Sequence, residues 1–190
     1  CKGVAAPLAA FSPDSKTLAV YCTTRAHGRN LHGEIAVWDL ATHLQKKVVP
    51  VPEAYLDTMA FLPGTQDLLV GGEAMMTPRV GFLSRYPEMG MKRLDLLSER
   101  SVQYNTVTLS PEGDLIATQL VQGRFQLIRR KTMEIVGSIY QSETSGAVAP
   151  LGGSLVAMGM QDGSIAVWDF ASGEVRAMLN GHLRPVNSMT

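Results

Sequence analysis

The sequence predicts an all-β fold built from repeated units, and three observations point to it. An eight-residue segment beginning at Gly33 recurs at Gly163 with six identical positions, 130 residues further along the chain. Apolar runs of strand length are separated by turn-forming clusters rich in Pro, Gly, Asp and Ser. These features recur every 40–50 residues, a period typical of repeat architectures.

Each unit begins with a predicted hairpin. A turn cluster precedes an apolar run in every unit, and proline, glycine and aspartate supply the backbone angles that tight turns need. The clusters lie at 13–15, 63–65, 111–113 and 151–153, and the apolar runs at 18–21, 68–70, 115–117 and 155–157. We therefore expect a strand, a turn and a second strand at the start of each unit.

The spacing of the turns defines the units, each long enough for four strands. Aligning the turns places the units at about 4–52, 53–100, 101–143 and 144–180. In this alignment four residues of the third strands are equivalent, namely Trp38, Leu83, Ile128 and Trp168. The prediction is four consecutive four-stranded antiparallel sheets within residues 1–190.

Several short motifs resemble the WD-repeat β-propeller family. They are Ile-Ala-Val-Trp-Asp at 35–39 and 165–169, Phe-Ser-Pro-Asp at 11–14, Gln-Asp-Gly at 161–163 and Gly-His at 181–182. The resemblance implies four-stranded blades arranged radially around a channel. Trp-Asp is well kept in the first and fourth units, whereas Leu83-Ser84 and Ile128-Arg129 replace it in the second and third.

The resemblance also implies a larger ring. Gly181-His182 opens a blade in the family, so residues 181–190 are expected to form the first strand of a further blade. Family propellers mostly have seven or eight blades, so four units would form an arc of such a ring. We expect missing blades or a second copy of the chain to cover the apolar faces at its ends. A closed four-bladed ring is the remaining alternative.

Some residues are assigned structural roles by the same resemblance. Trp38 and Trp168 are expected to pack between blades, with Asp39 and Asp169 following them in the same strands. The family's blades often hold a buried relay of His, Ser or Thr, Asp and Trp. Here Met158 stands where the hydroxyl belongs, so the relay is incomplete. The remaining structural candidates are Asp162, interpreted as a turn residue, and His182.

Two loops are candidate partner-binding sites. The loop at 23–32 is either a solvated insertion or a basic recognition loop for an acidic or phosphorylated partner. The equivalent loop of the second unit carries two methionines, which either form an exposed, adaptable contact surface or are buried between blades. The candidate residues are Arg25, His27, Arg29, His32, Met75 and Met76. A zinc site from Cys22, His27 and His32 is not expected, because the spacing fits no familiar pattern.

No catalytic or cofactor-binding motif is present in the sequence, so we expect no catalytic residue, cofactor or metal. The 17 basic and 17 acidic residues balance, which argues against nucleic acid as a partner. No apolar run is long enough to span a membrane. Tyr104, Thr106 and Thr108 are polar residues on an inner strand and keep open a ligand-binding or hydrolytic site in a central channel.

These observations favour a non-catalytic protein–protein interaction scaffold that presents rim loops to other proteins. An architectural subunit of a large assembly is the alternative, and a ligand-binding or hydrolytic propeller is a further one. With two cysteines, a reducing, cytoplasmic location is the default. If Cys1 is a processed N-terminus, the chain is instead a lipid-anchored protein of a bacterial envelope.

Overall fold

The computed structural model describes residues 8–25, 31–52, 54–74, 80–90, 94–100, 104–120 and 123–189. The chain divides into two compact units, residues 1–103 and 104–190. Each unit holds two four-stranded antiparallel sheets, in which neighbouring strands follow one another in sequence. The prediction of an all-β chain with four four-stranded antiparallel sheets is therefore confirmed.

The first unit contains sheets 1 and 2. Sheet 1 consists of β1 (Leu8–Phe11), β2 (Thr17–Arg25), β3 (Leu31–Asp39) and β4 (Gln45–Pro52). Sheet 2 consists of β5 (Ala54–Phe61), β6 (Leu68–Ala74), β7 (Val80–Tyr86) and β8 (Leu94–Arg100). A short 3-10 turn, Pro87–Met89, follows β7.

The second unit contains sheets 3 and 4. Sheet 3 consists of β9 (Tyr104–Leu109), β10 (Leu115–Leu120), β11 (Arg124–Arg129) and β12 (Glu134–Tyr140). Sheet 4 consists of β13 (Thr144–Gly152), β14 (Leu155–Met160), β15 (Ile165–Asp169) and β16 (Glu174–Leu179). All four apolar runs singled out in the sequence lie in second strands, namely β2, β6, β10 and β14.

Serine side chains close two of the predicted first turns. Ser12 N donates to Thr17 O, and Thr17 N donates to Ser12 Oγ, both at 2.9 Å. The same pair of bonds joins Ser110 and Leu115, at 3.0 and 3.1 Å. The hydroxyl takes up an amide that would otherwise lack a partner at the strand end, which fixes where β2 and β10 begin.

Each unit has its own apolar core between its two sheets. In the first unit, side chains from β2 to β4 pack against β5 to β7, with Tyr21, Ile35 and Phe82 at most 3% exposed. In the second unit, Phe125 and Leu127 of sheet 3 pack with sheet 4. Because these residues alternate along each strand, one face of each sheet is buried in this way.

The strand register corrects one predicted equivalence. In sheet 1, Phe11 pairs with Leu18 and Leu18 pairs with Trp38. The same chain of pairs in sheet 2 runs from Phe61 through Leu68 to Tyr86. Tyr86, and not Leu83, therefore stands where Trp38 stands in sheet 1.

The two positions also differ in the face that they occupy. Leu83 lies three residues before Tyr86, so the alternation of a strand puts the two side chains on opposite faces. Tyr86 is 2% exposed and belongs to the core shared by sheets 1 and 2. In sheet 3, Ile128 pairs with Ile116 and Ile116 with Leu109, as the sequence alignment requires.

The segment after β16 differs from the strand that the sequence predicts over 181–190. Residues 180–189 form no strand. Instead the segment packs along sheet 4, where Ser145 Oγ donates to Val186 O and Val186 is only 8% exposed. A strand needs a hydrogen-bonded neighbour, and within the described residues no strand pairs with this segment.

Cys22 in β2 is fully buried and disulfide-bonded. The sequence has one other cysteine, Cys1, which lies outside the described residues. Disulfides persist in oxidising compartments and are rare in the cytosol. This bond does not support the reducing location expected from the cysteine count, and it leaves Cys22 unavailable as a metal ligand.

Candidate functional site

The first unit contains a cleft of about 930 Å³ at one end of its strands. Its walls are the β1–β2 and β3–β4 turns of sheet 1, the β5–β6 turn of sheet 2 and the 3-10 turn after β7. Charged side chains of both signs line it. The acidic ones are Asp14, Asp39, Asp67 and Glu88, and the basic ones are Lys16, Lys46 and Lys47.

Asp14 is held in place by three donors. Its Oδ1 accepts Ser12 Oγ at 2.6 Å and the amide of Lys16 at 3.1 Å, and its Oδ2 accepts Gln66 Nε2 at 3.3 Å. The Ser12 hydroxyl, followed by the Lys16 amide, lowers the pKa of Asp14 below its usual value. The bond from Gln66 also joins the first turn of sheet 2 to the first turn of sheet 1.

Asp39 is fixed in the same way at the end of β3. Its Oδ1 accepts the amides of Ala41 and Thr42, each at 2.9 Å, which closes the β3–β4 turn. Its Oδ2 lies 2.8 Å from Lys46 Nζ. The Lys46 ammonium, and then the Thr42 amide, hold the pKa of Asp39 well below its usual range.

The third aspartate of the cleft, Asp67, organises the segment after β7. Its Oδ1 accepts the amide of Glu88 at 2.8 Å, and its Oδ2 lies 3.5 Å from Arg85 Nη1. Lys47 Nζ donates to the carbonyl oxygen of Glu88 at 3.0 Å. That bond is a second link between the two sheets, because Lys47 lies in β4.

Hydrogen bonds and ion pairs within the protein hold the aspartates of the cleft in place. A general acid or base works best with a pKa near the operating pH. Asp14 and Asp39 have lowered pKa values instead, and their oxygens are already bonded to the protein. They are held ionised and fix the turns that line the cleft.

The sequence-predicted partner-binding residues that the structure describes do not line the cleft. Arg25 ends β2, and His32 lies in β3 opposite Thr24. Four candidates, His27, Arg29, Met75 and Met76, lie outside the described residues. The described strand ends beside these loops, at Arg25, Leu31, Ala74 and Val80, do not line the cleft.

The Trp-Asp pairs occupy equivalent places in sheets 1 and 4. Trp38 and Asp39 end β3, and Trp168 and Asp169 end β15. Trp168 is half-buried and packs against the core of the second unit. Its Nε1 is buried without a hydrogen-bond partner among the described residues. Trp168 therefore takes no part in a hydrogen-bond relay with them, and Met158 stands at the position where that relay would need a hydroxyl.

Asp162 and His182 lie in irregular segments. Asp162 Oδ1 accepts both the amide and the hydroxyl of Ser164, at 2.8 and 2.6 Å. These bonds lower the pKa of Asp162, the hydroxyl contributing most. Asp162 is thus a turn residue between β14 and β15. His182 is exposed in the segment after β16.

Of the polar inner-strand residues, Thr106 makes a hydrogen bond within the second unit. Thr106 Oγ1 is 3.4 Å from Gly146 O, to which it donates a hydrogen bond linking sheets 3 and 4. Thr108 is partly buried, and nothing is described of the Tyr104 side chain. In the part of the chain that the structure describes, no three His, Cys, Asp or Glu side chains are grouped to hold a metal ion.

The sequence did not predict the cleft, because the residues that line it are distant from one another along the chain. Gln66 and Asp14, for example, are 52 residues apart. Each turn taken singly predicts only a hairpin. The one available signal was that the turns of two adjacent units, at 13–16 and 64–67, both carry polar side chains.

Comparison with protein-family models and with curated proteins found no match for the chain. Among the described residues, no helix has the length and hydrophobicity of a bilayer-spanning segment.

Proposed function

We propose that the chain is a non-catalytic interaction scaffold of WD-repeat propeller type, and that its cleft binds a segment of another protein. The observation that carries the proposal is the cleft itself. It is large enough for several side chains, it is lined by short turns, and its three aspartates are held by hydrogen bonds from Ser12, Lys46 and Glu88. Binding surfaces that are ordered in advance lose less conformational entropy on association.

The repeat structure supports the propeller part of the proposal. All four sheets have the same strand order, as propeller blades do. The residues at the Trp38 position in the four sheets, named by register, are Trp38, Tyr86, Ile128 and Trp168. All four are large and apolar or aromatic, as packing between blades requires.

The state of the charged groups supports a non-catalytic role. Asp14 and Asp39 have lowered pKa values, so neither suits proton transfer near neutral pH. Thr106, one of the three polar candidates for a channel site, already donates to Gly146 O. A binding role does not require these groups to change their protonation state.

The proposal can be tested by filling the cleft. Ala41 is exposed and lines the cleft, and its backbone amide, which bonds to Asp39, is kept when the side chain is replaced by tryptophan. We expect Ala41→Trp to abolish binding of a stoichiometric partner in cross-linking and affinity purification from native extract. Ala171→Trp is the matched control, because Ala171 is exposed at the same place in the β15–β16 turn and donates to Asp169.

The outcomes are distinct. Retention of one partner by the wild type and Ala171→Trp, with loss in Ala41→Trp, supports the cleft as the binding site. Equal retention by all three proteins would place the binding elsewhere. Failure of the wild type to retain any stoichiometric partner would count against the scaffold itself.

The proposed ring can be tested separately. If a second copy of the chain completes the propeller, light scattering will give twice the mass of one chain. A stable monomer would leave other blades as the candidates for covering the faces of the arc, or would favour the closed four-bladed ring.

A further inference from the structure

The two apolar cores pair the same two kinds of sheet face. In each sheet, the face that carries the Trp38 position is named the Trp face. In the first unit the Trp face of sheet 2, with Tyr86, packs against the opposite face of sheet 1, with Ala19 and Val37. In the second unit the Trp face of sheet 4, with Trp168, packs against the opposite face of sheet 3. In both units, therefore, the later sheet contributes its Trp face and the earlier sheet its opposite face.

The Trp face of sheet 1 is apolar and partly exposed. Phe11 and Val48 on this face are 64% and 39% exposed, and Leu18, Val20 and Trp38 are only partly buried. By register, Phe11, Leu18 and Trp38 form the same row that sheet 2 buries in the core of the first unit. Sheet 1 therefore has an uncovered face of the kind that packs in both cores.

The face of sheet 4 opposite its Trp face repeats the face that sheet 1 buries. Five of its residues and their register equivalents in sheet 1 are Ala149 and Ala10, Ala157 and Ala19, Val167 and Val37, Ile165 and Ile35, and Leu179 and Val49. Four of these five pairs are identical. Val37 and Val49 are at most 1% exposed, whereas Leu179 is 53% exposed and Val167 only partly buried. Sheet 4 thus has a partly exposed copy of the face against which sheet 2 packs.

We infer that two copies of the chain associate head to tail, with the Trp face of sheet 1 in one copy packed against the opposite face of sheet 4 in the other. The inference rests on the proposed function and names the partner that covers these faces. Each chain carries both complementary faces, so a second copy has the required residues. Removal of the apolar faces from water favours the association. The contact is heterologous, because it joins two different surfaces.

Two features at one end of these faces oppose the contact. Glu34 lies at the β2–β3 end of the sheet 1 face and is partly buried. At the equivalent β14–β15 end of sheet 4, the segment after β16 lies over Gly159 and Gly163 and buries Val186. Docking of the second copy therefore displaces this segment. Val186→Ala, which loosens the segment, should tighten the association by up to roughly tenfold.

Analytical ultracentrifugation over a range of concentrations measures the association. Phe11→Glu alters the sheet 1 face and Leu179→Glu the sheet 4 face, and both side chains are more than half exposed in the single chain. Each variant should weaken the association roughly a hundredfold, because an apolar contact is lost and an unpaired carboxylate is buried in its place. Leu44→Glu is the matched control, since Leu44 is 66% exposed in the β3–β4 turn, and it should associate like the wild type. Circular dichroism of each variant shows that the fold is retained.

A mixture of the two variants tests the head-to-tail arrangement. Phe11→Glu keeps an intact sheet 4 face, and Leu179→Glu keeps an intact sheet 1 face. We therefore expect the mixture to form a complex of one chain of each variant, although each alone stays monomeric. A contact of one face with the same face of another copy would instead be lost in only one of the two variants.

The inference is overturned if the wild type stays monomeric at high concentration, if either face variant associates like Leu44→Glu, or if the mixture forms no complex. Weaker association of Val186→Ala would also contradict it, because the segment would then be part of the contact. A monomeric wild type leaves the cleft proposal standing, since Ala41→Trp tests that proposal separately. If the chain associates as expected and Ala41→Trp retains the native partner, only the cleft proposal fails.

Discussion

Arg176 donates from both Nη2 and Nε to one oxygen of Asp169, at 2.7 and 3.1 Å. The other oxygen of Asp169 accepts Ser154 Oγ at 2.6 Å and Ala171 N at 3.0 Å. Asp39 is bound similarly by Lys46 and two turn amides. In both Trp-Asp pairs, therefore, the aspartate closes the turn after the third strand and binds a cation of the fourth.

These aspartates make the free energy of unfolding depend on pH. The Ser154 hydroxyl and then Arg176 hold the pKa of Asp169 well below its usual range, and Lys46 does the same for Asp39. In acid the unfolded chain therefore binds more protons than the folded one. The stabilisation is complete above the ordinary aspartate pKa of about 3.9 and is lost as the pH falls through the folded-state values.

We expect the double variant Asp39→Asn, Asp169→Asn to be less stable than the wild type at neutral pH and to lose less stability on acidification. Urea unfolding at neutral and acidic pH measures both quantities. Glu134→Gln is the control and should follow the wild type, because this exposed carboxylate has no hydrogen bond to its side chain among the described residues. An unchanged pH dependence in the double variant would contradict this account.

The strands and first turns could be predicted because their signals are local. The bonds at Ser12 and Thr17 span five residues, and alternation of apolar side chains is visible within one strand. The cleft could not be predicted in this way. It depends on contacts such as Lys47 with Glu88, 41 residues apart, which no single turn reveals.

The misassigned equivalent of Trp38 illustrates the limit of spacing arguments. The even spacing of 45 residues pointed to Leu83, but the register selects Tyr86. A repeat fixes the pairing of strands and not the length of the connection between them. Because a shift of three residues also changes the face of the sheet, only the hydrogen-bonded register could decide between the two residues.

Ser15 has a backbone conformation that favours glycine. Its φ is 57°, whereas the first turn of sheet 3 has glycine at the corresponding position, Gly113 at 70°. We expect Ser15→Gly to stabilise the protein by about 0.5–1 kcal/mol, since a left-handed conformation is costly for residues with a Cβ.

Thermal or urea unfolding measures the effect of Ser15→Gly. Ser142→Gly is the matched control, because Ser142 lies in an exposed turn without a positive φ. There the gain is absent and the added freedom of the unfolded chain should lower the stability slightly. If Ser15→Gly and Ser142→Gly destabilise the protein equally, the positive φ of Ser15 does not lower its stability.

The disulfide of Cys22 gives a chemical prediction. We expect the protein prepared without reductant to show no reaction of Cys22 with iodoacetamide until it is both reduced and unfolded, because the residue is fully buried and bonded. Mass spectrometry of the alkylated peptides measures this. Since a sulfur carrying a lipid cannot form a disulfide, the mass of the Cys1 peptide tests the lipid-anchor alternative. Labelling of Cys22 on unfolding without reductant would contradict the bond.

The segment after β16 should be held to sheet 4 mainly through Val186. Its side chain is 8% exposed and its carbonyl oxygen accepts a bond from Ser145, whereas Leu183 nearby is 98% exposed. Val186→Ala removes two buried methyl groups, about 1.5 kcal/mol of burial. We expect amide exchange in residues 181–189 to rise by roughly tenfold, as measured by hydrogen–deuterium exchange.

Two comparisons test this prediction about Val186. Leu183→Ala should leave the exchange unchanged, because it removes no buried surface. Gly159→Ala should raise it, since a Cβ at that position would lie 2.5 Å from Val186 O and 2.7 Å from Ser145 Oγ. If Val186→Ala and Leu183→Ala give the same exchange as the wild type, burial of Val186 does not hold the segment in place.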